Sequence, residues 1–396
     1  MIKFWWETEF KETEIGKIPE DWEVKKMRDL FKIESGRRPP EVNDNGKFEV
    51  WGANGFMGYT TSYNYCGEFL ITGRVGTLGH VFYIPENIKI WVSDNALIIT
   101  KDKDKVIVKL YFYYLKTRKR EIEELNVGST QPLITQRDLK EIKIPYPPPP
   151  EQSRIATVLS WFDDLIENKK RQNEILEKVA MAIFKSWFVD FEPFKDEKFV
   201  YNEELGKDIP KGWEVKSIGE IFDLIKGKKC TVFERPTKNA VPYLLIENFK
   251  GGDISYWTTE RQPFLEELDI VLVADGESSG KIFRYQRGII GSTLLMLRQK
   301  VKKLDLRNYV YLYLKNAEDE IMEHRTGSAI PHLDKDFLRE YVLIIPVSHV
   351  LQRFHSLVEP LFQKIILNQK QIMVLRKIRN ALLPKLVFGK LRVEEV

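Results

Sequence analysis

The feature that most constrains this chain is that it is written twice. The run Ile15-Gly16-Lys17-Ile18-Pro19-Glu20-Asp21-Trp22-Glu23-Val24-Lys25 returns as Leu205-Gly206-Lys207-Asp208-Ile209-Pro210-Lys211-Gly212-Trp213-Glu214-Val215-Lys216, so Trp22 and Trp213 lie 191 positions apart. Both copies run on into an apolar stretch, Leu30 to Ile33 or Ile221 to Leu224, and then into a glycine among cations, Gly36-Arg37-Arg38 or Gly227-Lys228-Lys229. Further on, Gly128-Ser129-Thr130-Gln131-Pro132 answers to Gly327-Ser328-Ala329-Ile330-Pro331, and each leads to a short strand pattern closed by Pro145 or Pro346. Chance does not supply so many matches in one order. A repeat of this period means two copies of one supersecondary plan in tandem.

Each copy ends in a long helical pattern. The prolines Pro147 to Pro150 bar a helix from running through them but let one begin behind them. From there apolar residues fall in steps of four and three, at Ile155, Leu159, Phe162, Ile166, Leu176, Ala180, Ile183 and Trp187. The spacing predicts a helix from Glu151 to about Asp190, roughly 60 Å long at 1.5 Å per residue. Lys169 and Asn173 interrupt the stripe, and such polar seam residues set register and partner. Phe354, Val358, Leu361, Ile365, Ile372, Leu375 and Leu382 repeat the pattern, interrupted by Asn368. A helix that long cannot bury its stripe in its own turns, so the two are expected to return antiparallel and zip together. The fold class predicted is α+β: two tandem mixed α/β domains separated by two long antiparallel coiled-coil helices, related by a pseudo-two-fold internal repeat. The plainer alternative, two core helices inside ordinary domains, conflicts with the length and the polar seam. A pseudo-symmetric chain suits a pseudo-symmetric partner, and DNA is one, since half-site spacing mirrors protein symmetry.

Composition sets the outer bounds. A chain of 396 residues with 43% apolar content supports two or more cores. A net charge of +4 permits nucleic-acid binding through local patches without demanding it. Cys66 and Cys230 stand far apart with no CxxC partner, which indicates neither a disulfide framework nor a zinc site. The N-terminus lacks the apolar core of a signal peptide, and no run approaches a membrane span. A soluble, cytoplasmic chain is expected.

Within the first unit, about 12–148, the strand patterns are Phe69 to Thr72, Val81 to Ile84 and Ala96 to Ile99, with a helix from Lys105 to about Leu125. The second unit, about 203–347, offers Tyr243 to Ile246, Asp269 to Val273 and Leu294 to Leu297, with a helix near Leu306 to Glu323. The ends of the two units match and their middles do not, the pattern of a kept framework with a changed read-out surface. Trp22 and Trp213, among strand residues, are expected as core anchors.

Candidate DNA contacts sit on the turns. Gly36-Arg37-Arg38 and Lys226-Gly227-Lys228-Lys229 present cations on flexible turns suited to phosphates, although such pairs also occur as plain solvated turns. In Gly73-Arg74-Val75-Gly76-Thr77, Arg74 has the reach for a bidentate guanine contact, with Thr77 beside it. Its counterpart, Asp275-Gly276-Glu277-Ser278-Ser279-Gly280-Lys281, offers a carboxylate for cytosine and hydroxyls for either base edge. A glycine-rich β-turn is the structural alternative for both. Ser129, Thr130 and Gln131, with Arg325 and Ser328, follow the shorter helix of each unit and carry groups for phosphate or base edges, or else form a capping turn. Asn54, Tyr59 and Asn95 lie on turns near the first unit's face.

Together these motifs resemble the specificity (S) subunit of type I restriction–modification systems, over nearly the whole chain. The resemblance rests on the paired I/L-G-K-(x)-I-P-x-x-W-E-V-K openings, the G-S-T-Q-P and G-S-A-I-P turns, and the helix starts Glu151-Gln152-Ser153-Arg154-Ile155-Ala156 and Leu351-Gln352-Arg353-Phe354. The closing run Ala381 to Leu391 also looks like that family's ending. The resemblance implies target-recognition domains at 1–149 and 193–348, each reading half of an asymmetric bipartite duplex DNA target. Conserved spacer helices at 150–192 and 349–396, the latter with the C-terminal tail, would set the distance between halves. Two methyltransferase (M) subunits would dock on them, and restriction (R) subunits would join. Phe184, Trp187, Phe188 and Phe362 are the expected docking aromatics, or equally the seal of the helix–helix core. S-adenosylmethionine, ATP and Mg would belong to the partners, leaving this chain without catalysis, cofactor or metal.

Two rival classes are weaker. An adenine methyltransferase wants an (N/D)-P-P-(Y/F) motif, and Pro145-Tyr146-Pro147-Pro148 lacks the leading Asn or Asp. A metal-dependent nuclease wants E-x-K with a further upstream carboxylate. Glu23-Val24-Lys25 and Glu214-Val215-Lys216 supply the first, and Asp208 or Asp196 could supply the second in the later copy, but no Asp precedes Asp21 in the first copy. The histidines His80, His324, His332, His349 and His355 show no metal-ligand spacing. A coiled-coil scaffold without DNA binding is distinguished by whether the basic turns matter.

Overall fold

The computed structural model describes residues 2–300, 304–327 and 330–395. The chain forms two compact units, residues 1–167 with 373–396, and residues 168–372. The boundaries fall inside the two long helices, Pro149–Phe188 and Ser348–Val387, so each unit takes part of both.

In the first unit an antiparallel sheet runs in the order Val81–Ile84, Phe69–Gly73, Ala96–Lys101, Phe31–Ser35. Its central strands, Phe69–Gly73 and Ala96–Lys101, are buried on both faces over most of their length, and alternation sorts them by period two. Leu70, Leu97 and Ile99 enter the large core shared with the helix Val108–Thr117 and with Ile155 and Leu159 of the first long helix. Phe69, Ile71, Ala96 and Ile98 point the other way, onto a second sheet through Ile90 and Val92. That sheet runs Gly55–Thr60, Phe48–Gly52, Lys89–Val92, Tyr65–Cys66, and Lys89–Val92 lies parallel to Phe48–Gly52.

The second unit repeats this strand for strand. Its first sheet runs Ile282–Phe283, Ile270–Val273, Leu294–Gln299, Phe222–Lys226. Its second runs Trp257–Thr258, Val241–Leu244, Gly288–Ile290, Phe264–Leu265, with the same single parallel pairing. Ile270, Leu272, Leu295 and Leu297 face the helical core, and Val271, Val273, Leu294 and Met296 face the second sheet. The middles that differ in sequence therefore share one topology. Apolar alternation is satisfied by many side chains, so the fold survives where sequence identity does not.

The duplicated openings sit where two strands close each unit. Glu23–Lys26 pairs with Lys143–Tyr146, and Glu214–Ser217 with Val342–Ile345. Trp22 is fully buried and Trp213 nearly so, as expected of core anchors. A third pairing belongs to the first unit alone, the N-terminal strand Ile2–Trp6 against Leu391–Glu395.

Several expectations need adjustment. The first long helix starts at Pro149, so Pro149 and Pro150 lie in its first turn, where a missing N–H costs no intrahelical bond. The expected helix Lys105 to Leu125 is two, Val108–Thr117 and Lys119–Glu124, hinged at Arg118 (φ −106°, ψ 25°). Its counterpart breaks likewise at Ala317 (φ −100°, ψ 13°), and the turn carries Ile122 or Ile321 into the core. The strand expected over Tyr243 to Ile246 ends at Leu244, and a helical turn, Ile246–Phe249, follows. Asn248 explains the switch: its Oδ1 accepts from Leu245 N and its Nδ2 donates to the Asp253 carbonyl, a side-chain-capped turn that competes with strand.

The long helices run antiparallel within the second unit. Asn368 Nδ2 donates to Asn173 Oδ1 at 2.9 Å, and Trp187 packs on Phe354 at 5.9 Å between ring centroids. In the first unit an ion pair, Asp163 with Arg379, joins the same two helices. Of the two roles open for Phe184, Trp187, Phe188 and Phe362, docking or sealing the helix core, burial favours the core. All four are buried, at 1%, 8%, 3% and 0% exposure. Phe184 and Phe188 pack on Tyr309 and Phe354, while Phe362 packs on Tyr311. They seal the core of the second unit.

Candidate nucleic-acid interface

In the first unit the candidate turns are brought together by backbone hydrogen bonds around the turn Ser93 to Ala96. Gly36 N donates to the Ala96 carbonyl, and Arg37 N to that of Val92. Arg74 N and Val75 N both donate to the Asn95 carbonyl, Gly76 N donates to that of Pro132, and Ile134 N to that of Arg74. Asn95 Oδ1 accepts from Ala53 N, which fixes the turn bearing the exposed Asn54. Four chain segments thus present Arg37, Arg38, Asn54, Arg74, Thr77, Ser129, Thr130 and Gln131 from one interlaced end of the unit. All of these are exposed except Arg74, which is half-buried and donates through Nη1 to the Asp94 carbonyl.

The second unit reproduces this wiring. Gly227 N donates to the Leu294 carbonyl, Ala274 N and Asp275 N to that of Thr293, Gly276 N to that of Pro331, and Leu333 N to that of Ala274. Bond for bond, Ala274 stands where Arg74 does, Asp275 where Val75 does, and Glu277 where Thr77 does. The glycine of each basic turn has the same cause. A Cβ on Gly36 would lie 2.1 Å from the Ser93 carbonyl oxygen, and one on Gly227 2.2 Å from that of Gly291. Close backbone approach, rather than the flexibility expected from sequence, demands glycine there. An aromatic donor braces each turn one residue later: Trp91 Nε1 reaches the Arg37 carbonyl at 2.8 Å, and the Tyr243 hydroxyl reaches that of Lys228 at 3.0 Å.

The side chains on this shared wiring differ between units. Lys228 and Lys229 are exposed, as are Glu277, Lys281 and Arg325. Lys226 Nζ lies 2.8 Å from Asp275 Oδ2, and His332 Nδ1 lies 2.9 Å from Asp275 Oδ1. Burial alone would raise the Asp275 carboxyl, but the bonds from Lys226 and His332 outweigh it and hold the group below its ordinary range. Lys250 Nζ donates to Ser278 Oγ at 3.2 Å, and Arg325 Nη1 to the Glu277 carbonyl at 3.0 Å.

Some candidates have other work. Ser279 is fully buried behind the loop and is not presented to a partner, because its turn packs inward beside Gly280 and Met322. Asn95 braces the interface from within, its carbonyl and side-chain oxygen both occupied. Tyr59 lies near the far end of its strand from Asn54, half-buried and edge-on to Phe56. Ser328 lies outside the described residues. Sequence reasoning missed Trp91, Tyr243, Lys250, Asp275 as an ion partner and His332. The last follows directly on the repeated Gly-Ser-x-x-Pro turn, a signal that a search for metal spacing alone passed over.

The E-x-K runs lie in the closing strands, with Lys25 salt-bridged to Glu23 and Lys216 to Glu214. Among the described residues no group of three or more His, Cys, Asp or Glu has metal-holding geometry. Nor does any helix there have the length and apolarity to cross a membrane.

Two copies of one scaffold, each offering an end of stitched turns with cations and hydrogen-bonding side chains, define a two-module DNA-recognition chain. The family model described as the type I restriction modification DNA specificity domain matches residues 19–178 and 210–377, and the chain belongs to that family of specificity subunits. It is 41% identical, over 445 aligned residues, to the type I restriction enzyme MjaIX specificity subunit of Methanocaldococcus jannaschii, covering 100% of this chain and 99% of the relative. It is 25% identical to the MjaVIII specificity subunit of the same organism, again over 100% and 99%. The fold is shared with the crystal structure of a type I restriction–modification S subunit from M. genitalium. That match has a TM-score of 0.58 at 24% identity and covers 92% of this chain and 96% of that one.

Proposed function

We propose that each unit reads one half of an asymmetric bipartite duplex target through its stitched turns. The observation that carries this is the pair of interfaces with matching backbone wiring and unlike side chains, Arg74 against Ala274 and Val75 against Asp275. A conserved frame with divergent hydrogen-bonding groups is what two readers of different sequences require. Arg37, Arg38, Lys228 and Lys229 grip phosphates, and Arg74 reads a base edge. The long helices set the spacing between halves.

Catalysis belongs to partners in this reading. Two M subunits methylate adenine with S-adenosylmethionine, and R subunits cleave with ATP and Mg, in the cytoplasm where the genome lies. With Phe184, Trp187, Phe188 and Phe362 in the core, the M-subunit surface falls to exposed apolar positions of the long helices such as Trp161, Leu165, Ile175, Leu367, Val374 and Ile378.

The test is N6-methyladenine mapping in a host expressing this chain with its M subunit, beside a chain whose residues 203–347 come from another specificity subunit. The expected result is a split motif in which one half changes and the other stays. Methylation that requires the M subunit yet depends on neither unit of this chain would replace the reader with a scaffold.

A further inference from the structure

The Lys226–Asp275–His332 cluster is the sharpest chemical difference between the two interfaces. It occupies framework positions that the first unit fills with Ser35, Val75 and Leu133. The isolated bridge Val75–Leu133 in one unit is Asp275–His332 in the other. Where the first unit pairs two apolar residues, the second holds a carboxylate between a lysine and a histidine, at 2.8 and 2.9 Å. The same backbone bonds close both turns, from Gly76 N or Gly276 N to the Pro132 or Pro331 carbonyl. Stability of the turn therefore does not need the charged set.

The geometry of the set fixes its chemistry. An ionised carboxylate only accepts, so the hydrogen between Asp275 Oδ1 and His332 must sit on Nδ1. With Nδ1 carrying the ring's one hydrogen, Nε2 is an acceptor, on a side chain that is 49% exposed. Lys226, 38% exposed, spends one of its three donors on Asp275 and keeps the others for an acceptor. An acceptor with a donor nearby matches a base edge bearing both. Adenine, with N6–H₂ beside N7, is such an edge, whereas guanine presents two acceptors.

We propose that Lys226, Asp275 and His332 form the base-reading cluster of the second unit. His332 Nε2 accepts from the exocyclic amino group of an adenine, Lys226 donates to N7, and Asp275 is the positioning residue that sets the histidine tautomer. The proposal deepens the two-reader function and rests on it.

The experiment is motif mapping by N6-methyladenine sequencing in a host carrying the full chain with its M subunit, wild type against His332→Leu, His332→Gln and Asp275→Asn. His332→Leu should lose discrimination at one position of one half-site, on the order of tenfold by the usual worth of a base contact, with the other half unchanged. His332→Gln, which restores an acceptor, should recover part of it. Asp275→Asn, which frees the tautomer, should relax the same position. An unchanged motif at reduced methylation in all three variants would make the cluster a brace and overturn the proposal, while the intact split motif would leave the two-reader function standing. A wild-type chain without any split motif would remove that function and the proposal with it. Should His332→Leu prove poorly folded, the comparison of His332→Gln with Asp275→Asn decides on the same criterion.

Discussion

The anchoring tryptophans of the two units occupy the same place in the repeat and are held by opposite means. Trp22 donates through Nε1 to Glu151 at 2.9 Å, and Glu151 in turn accepts from Arg392, which also reaches Glu7 and Asp21. The side chains of Arg392, Glu7 and Glu151 are only 10%, 8% and 3% exposed. Trp213 sits instead among Phe188, Phe191 and Phe194, and its indole N–H is buried without a partner. Chain connectivity accounts for the difference. In the second unit a covalent run, Phe188 to Phe199, leads from the end of a long helix into the repeat, and aromatic packing suffices to pin it. In the first unit the equivalent junction is made by segments far apart in sequence, Ile2–Trp6 paired with Leu391–Glu395. Strand pairing and burial of Leu391 and Val393 hold that junction, and the buried charges reinforce it.

The largest expected effect comes from breaking the clasp. Arg392→Met leaves two buried carboxylates unpaired, at a cost of about 3–5 kcal/mol. Calorimetry should then show the first unit melting ahead of the second as a separate transition. The clasp also has an acid signature. Burial raises the Glu7 carboxyl, but hydrogen bonds from Glu9 N, Thr8 N and Arg392 outweigh it and hold the group below its usual range. A carboxyl lowered in the folded state contributes stability above its unfolded value, about 4.3 for glutamate, and loses it as pH falls through the folded value. Acidification below about pH 4 should therefore destabilise the wild-type first unit more than that of Arg392→Met. Equal acid sensitivity in the two proteins would sink the electrostatic account.

Phe188→Ala sharpens the other side of the comparison. The ring packs at 4.8 Å from both Tyr309 and Phe354, and its loss should cost the second unit about 3–4 kcal/mol. The penalty should be insensitive to salt and acid, and thermal unfolding at two pH values tests this. The smallest effect is expected at the helix seam. Asn173 Nδ2 and Asn368 Oδ1 are buried without partners although the two residues bond each other. The double change Asn173→Leu with Asn368→Leu should leave stability unchanged or raise it by about 1 kcal/mol, whereas either single change should lower it. A large loss in the double variant would mean that the pair holds the second unit together rather than choosing its register.

Much of this was open to a reader of the amino-acid order. The duplication, the two long helices with Asn173 and Asn368 on their seam, and the buried Trp22 and Trp213 all rest on local periodicity and exact repetition. So did the basic turns, since Gly36 and Gly227 stand among cations in matching places. The clasp was not legible, because Glu7, Asp21, Glu151 and Arg392 span nearly the whole chain and no local spacing links them. Nor was the partnership of Asp275 with His332, which depends on one loop crossing another.

The sequence by itself determined that two like units must form and that each ends in a helix too long to stand alone, because repetition and hydrophobic period act over short range. Only the tertiary structure decided which side chains face outward. Phe184, Trp187, Phe188 and Phe362 carry the chemistry of a docking surface, yet they line a core. His332 stands beside a carboxylate, Asp275, that a different loop supplies. Burial is set by what folds against a residue, and that partner is rarely near it in the chain.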